Sequence, residues 1–529
     1  MTDPTQIQND RFAVASVAAI ACGLFLLEFL PAFGTTYGYF LDELYYLACA
    51  RRLDFGYVDH PPLAPLMLRG VLETLGDSLP AMRLLPALAG AATVALTGWM
   101  AFRLGGGRFA QTIAALCVVV APIPVILFGF FSMNAFELLF WATACWLLVE
   151  LNESDDARLW LPIGVLLGLA FENKHTSLLL AAGILVATLM TPLRGHLRSR
   201  WPWIGAFAAI ALALPNVLWQ VANGWPSLEF YENLRRESNI PLGPLEVLGE
   251  QIGATNPLTF PVWAAGVAFF FSSRGTRQRS LGWLFVAVLG IFMASGASRP
   301  DRIQGAYPVV FAAGGVMLEA ASQRAGWRWI RVAIPLLLVS SGLFAAPLLL
   351  PFPPTWMERH PLAAGANDMR REVGVSAIPL PFSHRLGSEE FVDAVAEVVD
   401  ALPPDERRSA IIVAGDFAHA GAIEQFGPER DLPRVLSPHN SYHDWGPEPD
   451  LATPIVIAIA LDEEMLRGEF GRIERAATYD CPYCMGWRDD LPIYVARSPR
   501  RSLAELWPEI RRIGLPTRKL LMLRAQEEP

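Results

Sequence analysis

The chain has 529 residues, of which 53% are hydrophobic and only 18% are charged, and its formal net charge is −9. Soluble domains carry about 25% charged residues. The low charge content, with a mean hydropathy of +0.34, therefore indicates a membrane protein. The acidic balance argues against a nucleic-acid partner, because proteins that bind nucleic acids present a basic face to the phosphates.

Apolar segments of about 20 residues are long enough to cross a bilayer, and the sequence predicts about eleven of them. In chain order they are 12–33, 80–102, 108–128, 131–151, 159–175, 176–191, 201–222, 257–273, 281–298, 303–321 and 329–350. Five alternate loops between these segments carry clustered arginines, which the positive-inside rule places in the cytoplasm. The predicted N-terminus is therefore cytoplasmic, and the first loop, residues 34–79, lies outside.

Residues 351–529 differ in kind from the apolar part of the chain. The run Pro351–Pro354 ends the last apolar helix, and polar sequence follows. Short apolar runs typical of buried strands occur at Ala410–Gly415, Pro454–Ala460 and Ile493–Ala496. Helical patterns occur at Ser388–Leu402 and Ser502–Ile513. The sequence thus predicts a polytopic α-helical membrane domain, residues 1–350, followed by an extracytoplasmic α/β domain, residues 351–529.

Ionisable residues cluster where the first apolar segment leaves the bilayer. Asp42 and Glu43 stand at that point, and Asp59 and His60 follow just before two prolines and the return to lipid. Charged groups at a membrane boundary are costly to desolvate, so such a cluster predicts a functional site. The structural alternatives are an interfacial helix start for Asp42 and Glu43, and a solvated loop ring for His60.

This cluster suits the transfer of a sugar from a lipid-linked phosphate. The phosphate leaving group is already an anion and needs nearby cations, whereas the acceptor hydroxyl or amine benefits from one carboxylate base. Glycoside hydrolysis, by contrast, needs a pair of carboxylates. We therefore predict Asp42 or Glu43 as the base, and Asp59 as the group that orients the acceptor or a metal. His60, which the prolines hold in an extended conformation, is predicted to help bind the donor phosphate or the substrate.

Candidate cations and further polar groups lie later in the chain, on the same predicted side. Lys174, followed by His175, interrupts two apolar segments and is predicted to clamp the donor phosphate; the alternative is snorkelling to the interface. Glu137 begins the fourth segment and shares a face with Asn134. Arg299 and Arg302 are predicted either to bind phosphate or sugar, or to anchor the C-terminal domain.

Two cysteines, Cys481 and Cys484, lie in the predicted exported domain with two residues between them. The spacing matches a redox active site, but no strand-to-helix unit precedes it. In an oxidising compartment a local disulfide or two inert thiols is the better interpretation.

Several blocks of the sequence resemble bacterial membrane glycosyltransferases of the protein O-mannosyltransferase-like class, within the GT-C superfamily. The blocks are Phe40–Ala50, Gly56–Leu63, Asn173–Thr176, Asn216–Gln220, Gly224–Phe230, Asn256–Leu258, His439–Tyr442 and Trp445–Pro447. The resemblance therefore spans nearly the whole chain.

The resemblance implies inverting transfer of a sugar from a polyprenyl-phosphate donor on the outer membrane face, with the catalytic aspartate at Asp42. In the related aminoarabinose transferases, a lysine that contacts the donor phosphate stands where this chain has His60, so Lys174 is expected to take that contact. Some members of the superfamily need a divalent metal and others do not. The candidate ligands here are Asp42, Asp59 and His60.

These observations predict a multi-pass glycosyltransferase of a bacterial cytoplasmic membrane, with a polyprenyl-phosphate sugar donor and a protein, lipid or glycan acceptor. One alternative is a transporter of a lipid-linked sugar, which would show paired repeats with interrupted helices. Another is a membrane-anchored glycan-binding scaffold. Deletion of residues 356–529 is expected to abolish the function of a scaffold and to leave the donor site of a transferase.

Overall fold

The computed structural model describes residues 12–34, 36–238, 241–362, 376, 378–448 and 455–514. Helices dominate the chain up to residue 359, and all five described strands come after residue 409. The helices of the first part are α1 (Val14–Phe29), α2 (Leu41–Arg51), α3 (Leu63–Leu75), α4 (Leu79–Arg103), α5 (Arg108–Val119), α6 (Pro122–Phe128), α7 (Met133–Ser154), α8 (Trp160–Asn173), α9 (Ser177–Leu189), α10 (Trp201–Ala222), α11 (Pro226–Asn233), α12 (Pro244–Ala254), α13 (Phe260–Phe271), α14 (Arg279–Ser295), α15 (Tyr307–Ser322), α16 (Ile330–Leu349) and α17 (Pro354–Arg359).

Seven helical stretches among the described residues are long and apolar enough to cross a membrane. They are Val14–Phe33, Leu79–Arg103, Met133–Ser154, Trp201–Ala222, Thr276–Ser295, Pro300–Ser322 and Ala325–Leu349. The number rises to nine if α5 with α6, bent by 67°, and α9 with Pro192–Arg198, bent by 97°, each count as one span. The chain is a multi-pass membrane protein.

The two remaining segments of the predicted eleven are also helical but shorter. Helix α8 has 14 residues and α13 has 12. A straight helix needs about 20 residues to cross the hydrocarbon core, so these two are too short to be counted as spans by length. The prediction of helix was therefore confirmed for all eleven segments, while the number that meet the length criterion is seven to nine.

Helices α8 and α10 cross with their backbones in contact. A methyl group added at Gly164 would lie 2.0 Å from the carbonyl oxygen of Gly205, and one added at Gly205 would lie 2.2 Å from the carbonyl oxygen of Trp160. Only glycine fits at either position, because any side chain would overlap the opposite backbone. The small residues thus allow the two helices to pack directly on each other.

The C-terminal part contains a mixed five-stranded sheet of order β2–β1–β3–β5–β4. Its strands are β1 (Ala410–Ala414), β2 (Val435–Leu436), β3 (Ile455–Ile459), β4 (Phe470–Tyr479) and β5 (Leu491–Pro499). Its helices are α18 (Leu380–Ser383), α19 (Ser388–Asp400), α20 (Pro404–Ser409), α21 (Phe417–Phe426), α22 (Ser441–Asp444), α23 (Glu463–Glu469) and α24 (Leu503–Leu506). Strand β1 is parallel to β2 and β3, and β5 is antiparallel to β3 and β4. The predicted α/β character of this part is confirmed.

Some details of this part differ from the sequence prediction. The predicted helix Ser502–Ile513 is only one turn, α24, because Trp507–Pro508 ends it and Pro508 cannot continue the hydrogen-bonded ladder. Strand β4 was not predicted, since its exposed face is polar and charged. Cys481 and Cys484 form a disulfide. This confirms one of the two interpretations of these cysteines, the other being two inert thiols.

The C-terminal α/β unit packs on the first loop of the membrane part. Helix α21 lies against α2, where Gly421 approaches the backbone of Leu44 so closely that an added methyl would lie 3.1 Å from its carbonyl carbon. At the end of α2, Arg52 forms an ion pair with Glu424 at 2.7 Å. The loop that carries the predicted catalytic residues is therefore held between the membrane helices and the sheet domain.

Candidate functional site

Glu43 is fully buried at the start of α2, where it makes four hydrogen bonds. Its carboxylate accepts from Arg83 Nε at 3.0 Å and Arg83 Nη2 at 2.8 Å, and from the backbone N–H groups of Phe40 at 2.7 Å and Phe131 at 2.8 Å. Both oxygens are thus occupied by groups that hold the helix start. This arrangement fits a structural role and does not fit the predicted role of Glu43 as a base.

Asp42, the neighbouring residue, differs from Glu43 in that its carboxylate is not held by other groups in the described chain. Its side chain is half-buried, and it has no hydrogen-bond or ion-pair partner among the residues that the structure describes. Burial, and to a lesser extent the charge of Asp59, raise the pKa of Asp42 and the charge of Arg299 lowers it, with a net value of about 7. A carboxylate that is unpartnered and has a pKa near neutrality can accept a proton from a substrate.

Asp59 is one of the charged groups that act on Asp42. It accepts a hydrogen bond of 3.0 Å from the hydroxyl of Tyr45, and burial raises its pKa. Tyr45 stands on α2 three residues after Asp42, so one helix supplies both the candidate base and the group that fixes the second carboxylate. The same oxygen of Asp59, Oδ1, lies 3.9 Å from Nε2 of His60.

His60 is buried inside a set of aromatic rings. It stacks on Tyr46 with ring centroids 4.7 Å apart, and Tyr57 lies 4.8 Å away. Its Nδ1 lies 3.0 Å from the carbonyl oxygen of Pro61, which can only accept, so Nδ1 carries the proton. Burial lowers the pKa of His60, which favours the neutral ring. A neutral, enclosed ring is poorly suited to hold phosphate, and the predicted substrate contact of His60 does not fit this position.

Lys174 and Glu137 form a buried ion pair. The ammonium nitrogen of Lys174 lies 2.6 Å from Oε2 of Glu137 and donates to Asn134 Oδ1 at 2.7 Å. The other oxygen of Glu137 accepts from the hydroxyl of Thr176. Asp301 Oδ2 lies 4.0 Å from the same ammonium. The charge of Lys174 is therefore balanced by protein carboxylates, which leaves it unsuited to the predicted clamp on phosphate.

Two arginines, Arg299 and Arg302, lie near this ion pair. Arg299 forms a two-pronged pair with Asp301, from Nε at 2.8 Å and Nη2 at 3.0 Å. Arg302, one turn further along the 3₁₀ segment Pro300–Ala306, has no hydrogen-bond or ion-pair partner in the described part of the chain. A partly buried guanidinium without a counter-ion is a ready site for a phosphate, which arginine binds in the same two-pronged manner.

Arg299 and Arg302 line a cavity of about 590 Å³. Its wall is mostly apolar and is formed by Phe171, His175, Thr176, Leu178, Asn216, Val217, Gln220, Trp225, Ser227, Leu228, Tyr231, Leu234, Arg235, Ser295, Ala297, Arg299 and Arg302. Leu178 and Leu228 are 59% and 60% exposed. The cavity therefore opens to the outside of the protein at an apolar rim, and its charged residues are all arginines.

His175 lies on the cavity wall in a polar network. Its Nε2 is 2.9 Å from Oδ1 of Asn216, and its Nδ1 is 3.2 Å from the hydroxyl of Tyr231. Asn216 also donates to the carbonyl oxygen of Phe55 in the first loop at 2.9 Å. The network ties the cavity wall to the loop that carries Asp59.

The structure thus gathers most of the predicted site residues into one region. Electrostatic effects connect Asp42 and Asp59 to Glu137, Arg299 and Arg302, although neither Asp42 nor Asp59 lines the cavity. Sequence reasoning missed four contributors: Arg83, Asn216, Tyr231 and Arg235. The signal for Arg83 was available, since a single arginine in an otherwise apolar predicted span requires a buried partner.

The structure gives little support to the candidate metal ligands. Within the ranges that the structure describes, no group of three or more His, Cys, Asp or Glu side chains is arranged to hold a metal ion. Asp42 and Asp59 are two carboxylates in one electrostatic region, whereas Nδ1 of His60 is taken by a carbonyl and its Nε2 lies 3.8 Å from Cys49 Sγ.

Comparison with known sequences gives two matches. Residues 59–219 match the family model described as dolichyl-phosphate-mannose-protein mannosyltransferase. The chain is 26% identical over 256 residues to the lipid A galacturonosyltransferase RgtD of Rhizobium johnstonii. That alignment covers 47% of this chain and 54% of RgtD, so the chain spans about half the length of the curated relative that it matches.

Comparison with solved structures extends over nearly the whole chain. ArnT of Cupriavidus metallidurans bound to undecaprenyl phosphate superposes with a TM-score of 0.60 at 16% identity, over 92% of this chain and 98% of ArnT. The apo form of ArnT gives a TM-score of 0.57 at 16% identity, over 91% and 97% of the two chains. The resemblance predicted from the sequence blocks is confirmed, and it extends to the arrangement of the helices and the C-terminal sheet.

Proposed function

We propose that this chain, which has the fold of the GT-C membrane glycosyltransferases, transfers a sugar from a polyprenyl-phosphate donor to an acceptor of the cell envelope. The matched relatives support the reaction class: one is named as a lipid A galacturonosyltransferase, and one was solved with undecaprenyl phosphate bound. The acceptor is a lipid, protein or glycan, and the transfer inverts the configuration of the sugar.

One observation carries the proposal. The unpartnered carboxylate of Asp42 lies within the electrostatic reach of Arg299, and Arg299 lines a cavity with an apolar rim. A base, a phosphate-binding cation and a place for an isoprenoid chain are the three parts that such a transfer needs. They come from the first loop, the 3₁₀ segment Pro300–Ala306 and the wall formed by α10 and α11.

The reaction follows from this geometry. The carboxylate of Asp42 takes the proton of the acceptor hydroxyl or amine as that atom attacks the anomeric carbon from the side opposite the phosphate. The bond between the anomeric carbon and the phosphate oxygen breaks, and the electron pair leaves with the phosphate. Arg302, with Arg299 beside it, stabilises the charge that grows on that phosphate. Asp59 orients the acceptor or a sugar hydroxyl.

The apolar part of the donor is proposed to occupy the cavity. A volume of about 590 Å³ is in the range of small-ligand sites, and it holds the first isoprene units rather than a whole polyprenyl chain. The rest of the chain leaves through the rim at Leu178 and Leu228, which are in contact with lipid. Hydrophobic burial of these units contributes to affinity without contributing to the choice of sugar.

The proposed location is the cytoplasmic membrane of a bacterium, with the N-terminus in the cytoplasm and the site on the outer face. The clustered arginines of alternate loops support this orientation. Residues 1–350 are proposed as the transmembrane transferase domain, with its catalytic loop at 34–79, and residues 351–529 as an extracytoplasmic domain.

The proposal is tested with purified full-length protein and undecaprenyl-phosphate sugars, with neutral, amino and uronic acid sugars offered in turn. We expect release of undecaprenyl phosphate only when an envelope extract supplies the acceptor. Asp42→Asn is expected to lower turnover by about 10²- to 10⁴-fold, the usual contribution of a general base. The matched control is Asp54→Asn, because Asp54 is an exposed carboxylate of the same loop.

Three outcomes count against the proposal. Near-normal turnover of Asp42→Asn removes Asp42 from the role of base. Equal losses in Asp42→Asn and Asp54→Asn show that the loop, and not the carboxylate, is responsible. Tight binding of the donor lipid with the sugar left on it for every acceptor fraction indicates a transporter.

A further inference from the structure

One residue of the C-terminal α/β unit reaches into the first loop. Ser441, at the start of α22, accepts a hydrogen bond of 3.0 Å from the backbone N–H of Val58 through its Oγ. Val58 directly precedes Asp59, and both partners are buried, with Ser441 3% exposed and Val58 1% exposed. The bond joins residues 383 positions apart in the chain and is shielded from water.

A second connection leads from the same residue to Asp59 itself. The backbone N–H of Ser441 donates to the hydroxyl of Tyr45 at 3.2 Å, and that hydroxyl donates to Asp59 Oδ1 at 3.0 Å. Because the N–H of Ser441 occupies a lone pair of the tyrosine oxygen, the hydroxyl proton is directed to the carboxylate. Ser441 thus fixes Asp59 from both sides, through the preceding peptide and through Tyr45.

The backbone that presents Ser441 is held in a strained conformation. Asn440 has φ 47° and ψ −137°, a region that favours glycine. Asn440 is 1% exposed, and its backbone N–H donates to the carbonyl oxygen of Arg512 while its Oδ1 accepts from Gly514 N–H. Strain of this kind persists only where the surroundings enforce it, and here its effect is to direct Ser441 at the loop.

Contacts next to Ser441 also join the C-terminal α/β unit to the end of α2. Tyr442 donates to Glu424 at 3.0 Å, Glu424 pairs with Arg52, and the guanidinium of Arg52 lies 4.7 Å from the ring centroid of Trp445. The segment Ser441–Trp445 and the end of α2 therefore form one packed unit with the loop.

We propose that Ser441 is a positioning residue of the transferase site, which holds Val58 and Tyr45 so that the carboxylate of Asp59 keeps its place against α2, the helix that also carries Asp42. This inference rests on the proposed function for its catalytic meaning. It also changes the expectation for a chain without residues 356–529: such a chain loses Ser441, so Asp59 is no longer fixed in its site.

The test compares full-length wild type with Ser441→Ala, Ser441→Thr and Tyr45→Phe in detergent. Hydrogen exchange at the amides of residues 54–60 is measured by mass spectrometry, and kcat and the KM for the donor lipid are measured separately. We expect faster exchange at Val58 and about ten-fold lower kcat for Ser441→Ala, with the donor KM within about two-fold, because misplaced reacting groups lower the rate rather than the binding.

Ser441→Thr keeps the hydroxyl and is expected to restore both exchange protection and most of the kcat. Tyr45→Phe breaks the second connection and is expected to lower kcat without a change in the Val58 amide. It also decides the inference if Ser441→Ala fails to fold. The control is Ser383→Ala, a fully buried serine of the same unit whose hydroxyl bonds to the carbonyl oxygen of Leu380 and to the sulfur of Met485.

Unchanged exchange and unchanged kcat in Ser441→Ala overturn the inference, and so does an equal loss of kcat in Ser383→Ala. A rise in the donor KM with kcat unchanged would also overturn it, because Ser441 would then act on donor binding. If the wild type transfers no sugar at all, the proposed function fails. The hydrogen-exchange measurement alone then decides whether Ser441 holds the loop.

Discussion

The ammonium of Lys174 lies 2.6 Å from Oε2 of Glu137, and both side chains are more than nine-tenths buried. Lys174 therefore has a partner within the protein, although it is the lysine that the sequence marks as a phosphate clamp. Asn134 and Asp301 complete its surroundings. We therefore propose that the arginines of the cavity wall, and not Lys174, bind the anionic donor.

Breaking the pair is expected to destabilise the protein. Lys174→Met leaves the carboxylate of Glu137 buried without a counter-ion, which typically lowers the free energy of unfolding by about 3–5 kcal/mol. The double variant Lys174→Met with Glu137→Gln removes both charges and is expected to recover most of that loss. Thermal unfolding in detergent measures both. Equal destabilisation of the single and the double variant would show that the pair is not coupled.

Arg302 is expected to govern the affinity for the lipid phosphate. A hydrogen bond to a charged group contributes about 1.5–3 kcal/mol, so Arg302→Ala is expected to weaken product inhibition by undecaprenyl phosphate by about ten- to hundred-fold. Arg302→Lys keeps a charge without the planar fork and is expected to give an intermediate value. Arg236→Ala is the control, since Arg236 pairs with Glu232 away from the cavity. An equal effect of both alanine variants would assign the binding to general surface charge.

The pH dependence of turnover is expected to report Asp42. Burial raises the pKa of Asp42 from 3.8 to about 7, and the base is active only when ionised. Turnover is therefore expected to rise as the pH increases from about 5 to 8, with a midpoint near 7. An acid limb with a midpoint near 4 would show that Asp42 is solvated in the working enzyme or that another group is the base.

The same pKa has an opposite effect on stability. A carboxyl whose folded pKa is raised favours the folded state only while it is protonated, so that contribution is full below about pH 4 and is lost as the pH rises through about 7. Asp42→Asn removes the cost of the buried charge. It is expected to raise the unfolding temperature at pH 8 and to change it little at pH 4. A variant that is less stable than wild type at pH 8 would contradict this.

Glu43 is expected to matter for folding rather than for chemistry. Glu43→Gln removes the counter-ion of Arg83 and weakens the bonds to the N–H groups of Phe40 and Phe131. We expect a loss of about 3–5 kcal/mol in the free energy of unfolding, as for other buried pairs that lose one partner. At a temperature where the variant is still folded, its turnover is expected to exceed that of Asp42→Asn by more than ten-fold. Equal inactivity of the two folded variants would return Glu43 to the list of candidate bases.

Much of the fold was predictable because its signals are local. The length of apolar runs gave the helices, and short apolar runs gave β1, β3 and part of β5. Strand β4 escaped because its side chains are mostly exposed, so neither an apolar run nor a clean alternation marks it. The short helices α8 and α13 were counted as spans because sequence gives the limits of an apolar run but not where the helix within it ends.

The site was predictable in its residue types and less so in its roles. The charges of Asp42, Glu43, Lys174 and Glu137 mark a functional region, but their division into base and structural pair depends on partners that are distant in the chain. Arg83 lies 40 positions from Glu43, and Ser441 lies 396 positions from Tyr45. No local pattern records such pairings, which is why the residue pattern alone left both Asp42 and Glu43 open as the base and only the family resemblance favoured Asp42.

The glycine crossing of α8 and α10 has a consequence for how a long isoprenoid tail travels in and out. Since the two backbones touch at Gly164 and Gly205, α8 and α10 leave no room for a side chain between them where they cross. Helix α11 is also tied to its surroundings: Ser227 accepts a hydrogen bond from Gln220 at 2.7 Å, and Asn233 donates one to the carbonyl oxygen of Ile513 at 2.9 Å. We therefore expect the tail to pass between walls that are already in place, without the movement of a whole helix.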